Sequence, residues 1–165
     1  MKTVSASELE FDFQVEVPDD WFLGRAPVPR LVVPRQLFGA SNEEFSTTPS
    51  GSSQPRPMIQ LLSSEAVFLW GCFQRLSDPD PLSPDPILDN TRFGFPLDYD
   101  SATARDSADA REWLPSRFVW KRVGYQFDGL SISVWIWEGT SASSQTIDDA
   151  REILRNLVIN MKVPS

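Results

Sequence analysis

The sequence predicts a single α+β domain built on a mainly antiparallel β-sheet, and three stretches carry that prediction. "ELEFDFQVEV" (residues 8–17) alternates acidic or polar with apolar residues without a break, the pattern of a half-buried strand. "VGYQFDGLSISVWIWEG" (residues 123–139) sets an Asp-Gly pair between two strand-like runs. That pair is the strongest local hairpin signal, because a type I′ turn needs positive φ at both central positions. "TIDDAREILRNL" (residues 146–157) repeats its apolar residues at helical spacing. At 165 residues the chain can bury a core without staples. Residues 1–165 therefore read as one domain, with loop segments near residues 39–57 and 74–91.

In the first strand Leu9, Phe11, Phe13, Val15 and Val17 face one side and Glu8, Glu10, Asp12, Gln14 and Glu16 the other. "PDDW" then turns the chain, with Trp21 and Phe22 expected to fold back onto the sheet. "PVPRLVVPR" holds a short extended segment at residues 31–33 that its prolines would confine to an edge. The Ser/Thr/Pro/Gly composition of residues 39–57 marks a linker or flexible loop. "MIQLLSSEAVFLWGCFQRL" fits either two strands, residues 58–62 and 66–73, or a buried helix; its aromatic and β-branched content favours strands. "SDPDPLSPDPILD" is a second, Pro/Asp-rich loop, and "SATARDSADAREWL" is compatible with a helix that must end at Leu114, ahead of Pro115.

A two-residue turn fixes the hairpin register. Phe127 opposes Leu130, Tyr125 opposes Ile132, Val123 opposes Val134 and Lys121 opposes Ile136 on one face. Gln126 meets Ser131, Gly124 meets Ser133, Arg122 meets Trp135 and Trp120 meets Trp137 on the other. Thr146 with Asp149 three residues on has the capping-box pattern, and Ile147, Ala150, Ile153, Leu154 and Leu157 form the stripe that packs on a sheet. Ile159, Met161 and Val163 alternate again as a short final strand.

The two ends, "FDFQVEVPDDWF" and "TIDDAREILRNLVINMKV", together resemble the Mog1/PsbP-like domains. Those chains open with a strand leading into a Val-Pro-x-x-Trp turn and close with a hairpin, a helix and a short strand. Residues 27–114 carry no part of the resemblance. It implies an antiparallel sheet with helices on both faces, an α/β/α sandwich, and a mostly non-catalytic role. Family members include photosystem assembly factors, a Ran-binding import factor, bacterial lipoproteins and adaptor chaperones for secreted toxins. It supplies no catalytic residues to carry over. The lipidation cysteine of the lipoproteins and the transit peptide of the luminal members have no counterpart here.

Composition narrows the chemistry. A net charge of −8 leaves no basic stripe for nucleic acid or an anionic membrane surface. It serves solubility or steers toward a basic partner. The chain has no histidine, which removes Ser-His-Asp and Cys-His nucleophiles and histidine-based metal sites. No Gly-rich phosphate loop occurs, and no cofactor is expected. Cys72 is the only cysteine, set in the apolar run "AVFLWGCF" where it acts as a small hydrophobe. Asp78, Asp80, Asp85, Asp89, Asp98 and Asp100 read as solvated loop carboxylates, and "DPDPLSPDP" lacks the glycine and terminal glutamate of a calcium loop. With no signal peptide and no apolar run long enough to span a bilayer, the expected location is the cytoplasm.

One surface remains. Trp120, Arg122, Trp135 and Trp137 share a strand face with Gly124, Ser131 and Ser133. They form either a second core layer under the middle of the chain or a shallow aromatic groove with room for a partner side chain. Tryptophan and arginine are common interface anchors, and an arginine over an indole is a cation–π arrangement. The expectation is a non-catalytic adaptor that docks a protein or peptide partner on Trp120, Arg122, Trp135 and Trp137. The alternatives are a small-molecule-binding or carboxylate-based hydrolytic domain using the acids of residues 78–89, and a structural subunit of a larger assembly.

Overall fold

The predicted hairpin forms the inner part of a six-stranded sheet in the computed structural model, which describes residues 1–8, 11–24, 35–47, 55–75, 97–104, 108–127 and 130–162. In chain order the elements are β1 (Lys2–Ser7), β2 (Phe11–Val17), β3 (Phe22–Gly24), β4 (Arg35–Ser41), α1 (Arg56–Ile59), β5 (Val67–Arg75), a 3-10 turn (Tyr99–Ser101), β6 (Thr103–Ala104), α2 (Ala108–Trp113), β7 (Phe118–Phe127), β8 (Leu130–Gly139), α3 (Ser144–Arg155) and β9 (Val158–Met161). The strands make two antiparallel sheets, β1-β2-β9 and β3-β4-β5-β8-β7-β6. The molecule is a sheet-rich α+β fold.

The β7–β8 register matches the expected pairing from Phe127↔Leu130 to Trp120↔Trp137, with Arg122 opposite Trp135, and continues to Phe118↔Gly139. The Asp128-Gly129 turn and the extended segment at residues 31–33 lie outside the described residues.

Parity along the central strands separates two cores. Val67, Leu69 and Phe73 of β5 and Ile132, Val134 and Ile136 of β8 point into one cluster, with Phe11, Phe13, Val15 and Val17 of β2 and Ala150, Ile153 and Leu154 of α3. Burying Ile153 and Leu154 contributes about 1.5–3 kcal/mol each. A register irregularity between Gln36 and Phe38 lets Leu37 and Phe38 both enter this cluster. The Phe38 ring fills the space over Gly71, where an added Cβ would lie 2.2 Å from it. The opposite cluster takes Phe68, Trp70 and Cys72 of β5, Trp135 and Trp137 of β8, and Met58 and Ile59 of α1.

Several local expectations shift. Residues 58–62 are not a strand: Pro57 sits in the first turn of the short helix α1, where its missing N–H costs nothing. Residues 39–41, assigned by composition to a loop, continue β4. Trp21 is buried as expected, its N–H closing a turn onto the Pro18 carbonyl at 3.1 Å, but Phe22 stays 41% exposed. Helix α3 starts one turn before Thr146: Ser143 is the N-cap, and its hydroxyl accepts the Thr146 N–H at 3.1 Å. The helical stripe and the end of α2 before Pro115 stand where the sequence puts them, and the final strand runs over Val158–Met161. Residues 101–104, read with α2 as helix-compatible, instead close the 3-10 turn and form β6.

Candidate functional site

Register assembles the aromatic face in rows across the sheet. Phe68, Trp137 and Trp120 align in one row, Trp70, Trp135 and Arg122 in the next, and Gln36, Cys72, Ser133 and Gly124 in a third. The predicted residues are thus brought together. Trp120 and Trp137 stack at 5.9 Å with planes 7° apart, Trp120 and Trp135 are 5.1 Å apart, and the Arg122 guanidinium lies 5.1 Å from the Trp135 ring centre. All are buried, with exposures of 3% for Trp120, 7% for Arg122, 5% for Trp135 and 0% for Trp137. Met58, Ile59 and Leu62 join the same cluster, with Trp113, Leu114 and Phe45 packed at its margin. Trp120, Arg122, Trp135 and Trp137 are therefore a second core layer, and the open groove expected over them is filled.

The small residues expected to leave room are occupied as well. Ser133 accepts the Arg122 Nη2 hydrogen bond at 3.2 Å and the Trp135 Nε1 bond at 3.3 Å, and the Cys72 sulfur lies 3.6 Å from its hydroxyl. Gly124 is needed for close approach, since a Cβ there would meet the Ile132 carbonyl at 2.4 Å. Burial pushes the Cys72 thiol up to about 11, against smaller opposing pulls from Arg122 and Ser133. The indole N–H groups of Trp70 and Trp137 have no acceptor among the described residues. Each such donor costs about 1–3 kcal/mol, tolerated here because the rings fill the cluster.

Several other titratable groups serve the fold. Asp98 caps the 3-10 turn, accepting from the Asp100 N–H at 3.1 Å and the Ser101 hydroxyl at 2.6 Å. Arg151 pairs with Asp100 at 2.8 Å and Asp148 at 2.7 Å, and holds the Asp100 carboxyl below its usual value. The Glu138 carboxylate accepts from Tyr99 and Lys121, both at 2.5 Å. Burial first, then Glu138, raises the Tyr99 phenol above its ordinary value. Asp78, Asp80, Asp85 and Asp89 lie outside the described residues. No group of three or more potential metal ligands occurs among the described residues, and none of their helices is long and apolar enough to cross a membrane.

A second surface lies on the small sheet along β1, the one strand of that sheet that the sequence did not indicate. β1 is its terminal strand, paired to β2 without interruption from Lys2↔Val17 to Ser7↔Asp12. Beside it a groove of about 410 Å³ is lined by Ser5, Ala6, Ser7, Asp12, Phe13, Gln14 and Asn160. Val4 and Ala6 turn toward the core while Thr3, Ser5 and Ser7 are exposed. That alternation is present in "KTVSAS" and is the signal that could have revealed it.

No family model, no curated protein and no solved structure matches the chain.

Proposed function

We propose that this chain is a non-catalytic binding module, an adaptor that holds a protein or peptide partner. The observation that carries the proposal is the outer edge of β1, which pairs with no strand among the described residues, next to the groove over β1, β2 and β9. A free strand edge offers a row of N–H and C=O groups ready to pair with an extended chain. The contact surface is assigned to this edge, because Trp120, Arg122, Trp135 and Trp137 are spent on core packing. The state of the reactive groups supports a non-catalytic role. The perturbations at Cys72 and Tyr99 favour the protonated, unreactive forms, the reverse of what activates a nucleophile. A Mog1/PsbP-like α/β/α arrangement belongs to the same proposal. It is supported by the Val17–Trp21 turn after β2, by the order hairpin, α3, β9, and by cores on both faces of the larger sheet.

The test is selection of a displayed random-peptide library on the immobilised, folded protein. Enrichment of peptides that bind in solution is the expected result. No enrichment, together with turnover of any substrate in a panel of esters and glycosides, overturns the adaptor reading in favour of a hydrolase.

A further inference from the structure

We infer that the β1 edge takes up an extended, basic peptide as an added strand, with a lysine or arginine opposite Thr3 reaching across to Glu16. This rests on the binding-module reading above and names the chemistry of its partner.

Edge strands in native proteins are guarded by prolines, bulges or inward charges. β1 has no proline, and its register with β2 contains no bulge. Its one charge, Lys2, is an inward guard at the first residue only, with its ammonium held by the Trp21 carbonyl at 2.6 Å, so Thr3–Ser7 carry no guard of their own. The edge is therefore long enough and plain enough to template a partner.

Charge on the outward face selects that partner. Of its two carboxylates, Asp12 is already served: Lys162 lies 3.4 Å away, and the Ser7 hydroxyl and then Lys162 hold its carboxyl below the usual value. Glu16, directly opposite Thr3, receives only the Gln14 side-chain amide at 3.3 Å and meets no lysine or arginine among the described residues. An incoming strand would lie two strand spacings, about 10 Å, from β2. A lysine or arginine pointing outward from it spans the neutral Thr3 and meets the Glu16 side chain part-way. A second copy of this chain supplies no such cation. The outward residues of its own β1 are Thr3, Ser5 and Ser7, and each copy brings a net charge of −8.

The probe is a ten-residue peptide of alternating valine and threonine carrying lysines on one face, tested beside the same peptide with glutamates. Binding is followed by fluorescence anisotropy and by amide shifts of the labelled protein. The lysine peptide is expected to bind with shifts centred on residues 2–7, and the glutamate peptide to bind more weakly. Glu16→Gln should weaken the lysine peptide about threefold to fivefold, as for a partly exposed ion pair. N-methylation of alternate residues should abolish binding in one set of positions and spare it in the other, because only one side of an added strand faces β1. Equal tolerance of both N-methylated sets, indifference to Glu16→Gln, or shifts centred elsewhere overturns strand addition while leaving a binding module in place. Dimers that block the peptide and are lost on altering β1 assign the edge to a second copy. If neither this probe nor any library peptide binds, the binding-module reading falls with it.

Discussion

The two faces of the six-stranded sheet solve the same burial problem with different materials. One face is mainly aliphatic, with Val67, Leu69, Ile132, Val134 and Ile136 beside Phe38 and Phe73, meeting a second sheet and the twelve-residue helix α3. The other carries Trp70, Trp120, Trp135 and Trp137, yet among the described residues the helices that cover it, α1 and α2, have only four and six residues. Long covering elements bring their own side-chain volume, so medium-sized aliphatics suffice beneath them. Short covers bring little, and the sheet must fill the space with its own large rings. The difference teaches that a tryptophan-rich strand face can be a core whose roof is thin.

The comparison breaks most sharply at Trp137. Trp137→Ala should cost about 3–5 kcal/mol, the range for removing a large buried aromatic, read as a lowered urea midpoint. Its neighbour on the aliphatic face, Ile136→Val, should cost about 0.5–1.5 kcal/mol. A Trp137→Ala change within about 0.5 kcal/mol of wild type is the behaviour of a surface site. That result would return the aromatic face to the list of docking surfaces.

How much of this was legible depended on whether the signal was local. The β7–β8 register followed from two-residue parity and Asp128-Gly129, and the α3 stripe from helical spacing. The cover over the tryptophans was not legible, because it depends on where residues 56–62 and 113–114 pack across the fold. Their aromatic neighbours in β5 biased residues 58–62 toward strand, although Pro57 marked a helix start. At the β4 end, Gly39 and Ser41 gave loop composition to residues that pair with Trp70 and Phe68. Ser143 and Thr146 are both suitable N-caps, and a polar side chain three residues on did not distinguish them. β1 was missed because Ser5, Ala6 and Ser7 carry little strand propensity, so only Thr3, Val4 and the alternation spoke for it.

The aromatic face should also respond to alkali. Cys72 titrates at about 11 when folded, above its ordinary value of 9.0. Between those values the native state holds a proton that the unfolded state has lost, so stability falls as pH rises through that window. Below pH 9 this contribution is fully present; above about 11 it is gone. The loss amounts to about 3 kcal/mol at most. Tyr99, also raised, adds a loss of the same sign as pH rises past the ordinary tyrosine range. Urea midpoints across the window, for wild type and Cys72→Ala, separate the two: the variant should show the shallower decline. Equal slopes would mean that the thiolate is accommodated and that the site is wetter than its burial implies.

The polar end of the aromatic face gives the smallest and most discriminating effect. Ser131 and Ser133 are both 2% exposed on β8. Only Ser133 accepts hydrogen bonds from Arg122 and Trp135. Ser133→Ala leaves both donors without that acceptor inside the cluster and should cost about 1–3 kcal/mol. Ser131→Ala removes a hydroxyl on which neither donor depends and should stay within about 0.5 kcal/mol. Both remove the same atom from equally buried positions, so shape is controlled and the difference isolates hydrogen bonding. If the two cost the same, the Ser133 hydroxyl contributes nothing measurable to holding Arg122, and it is there for packing rather than to satisfy a buried cation.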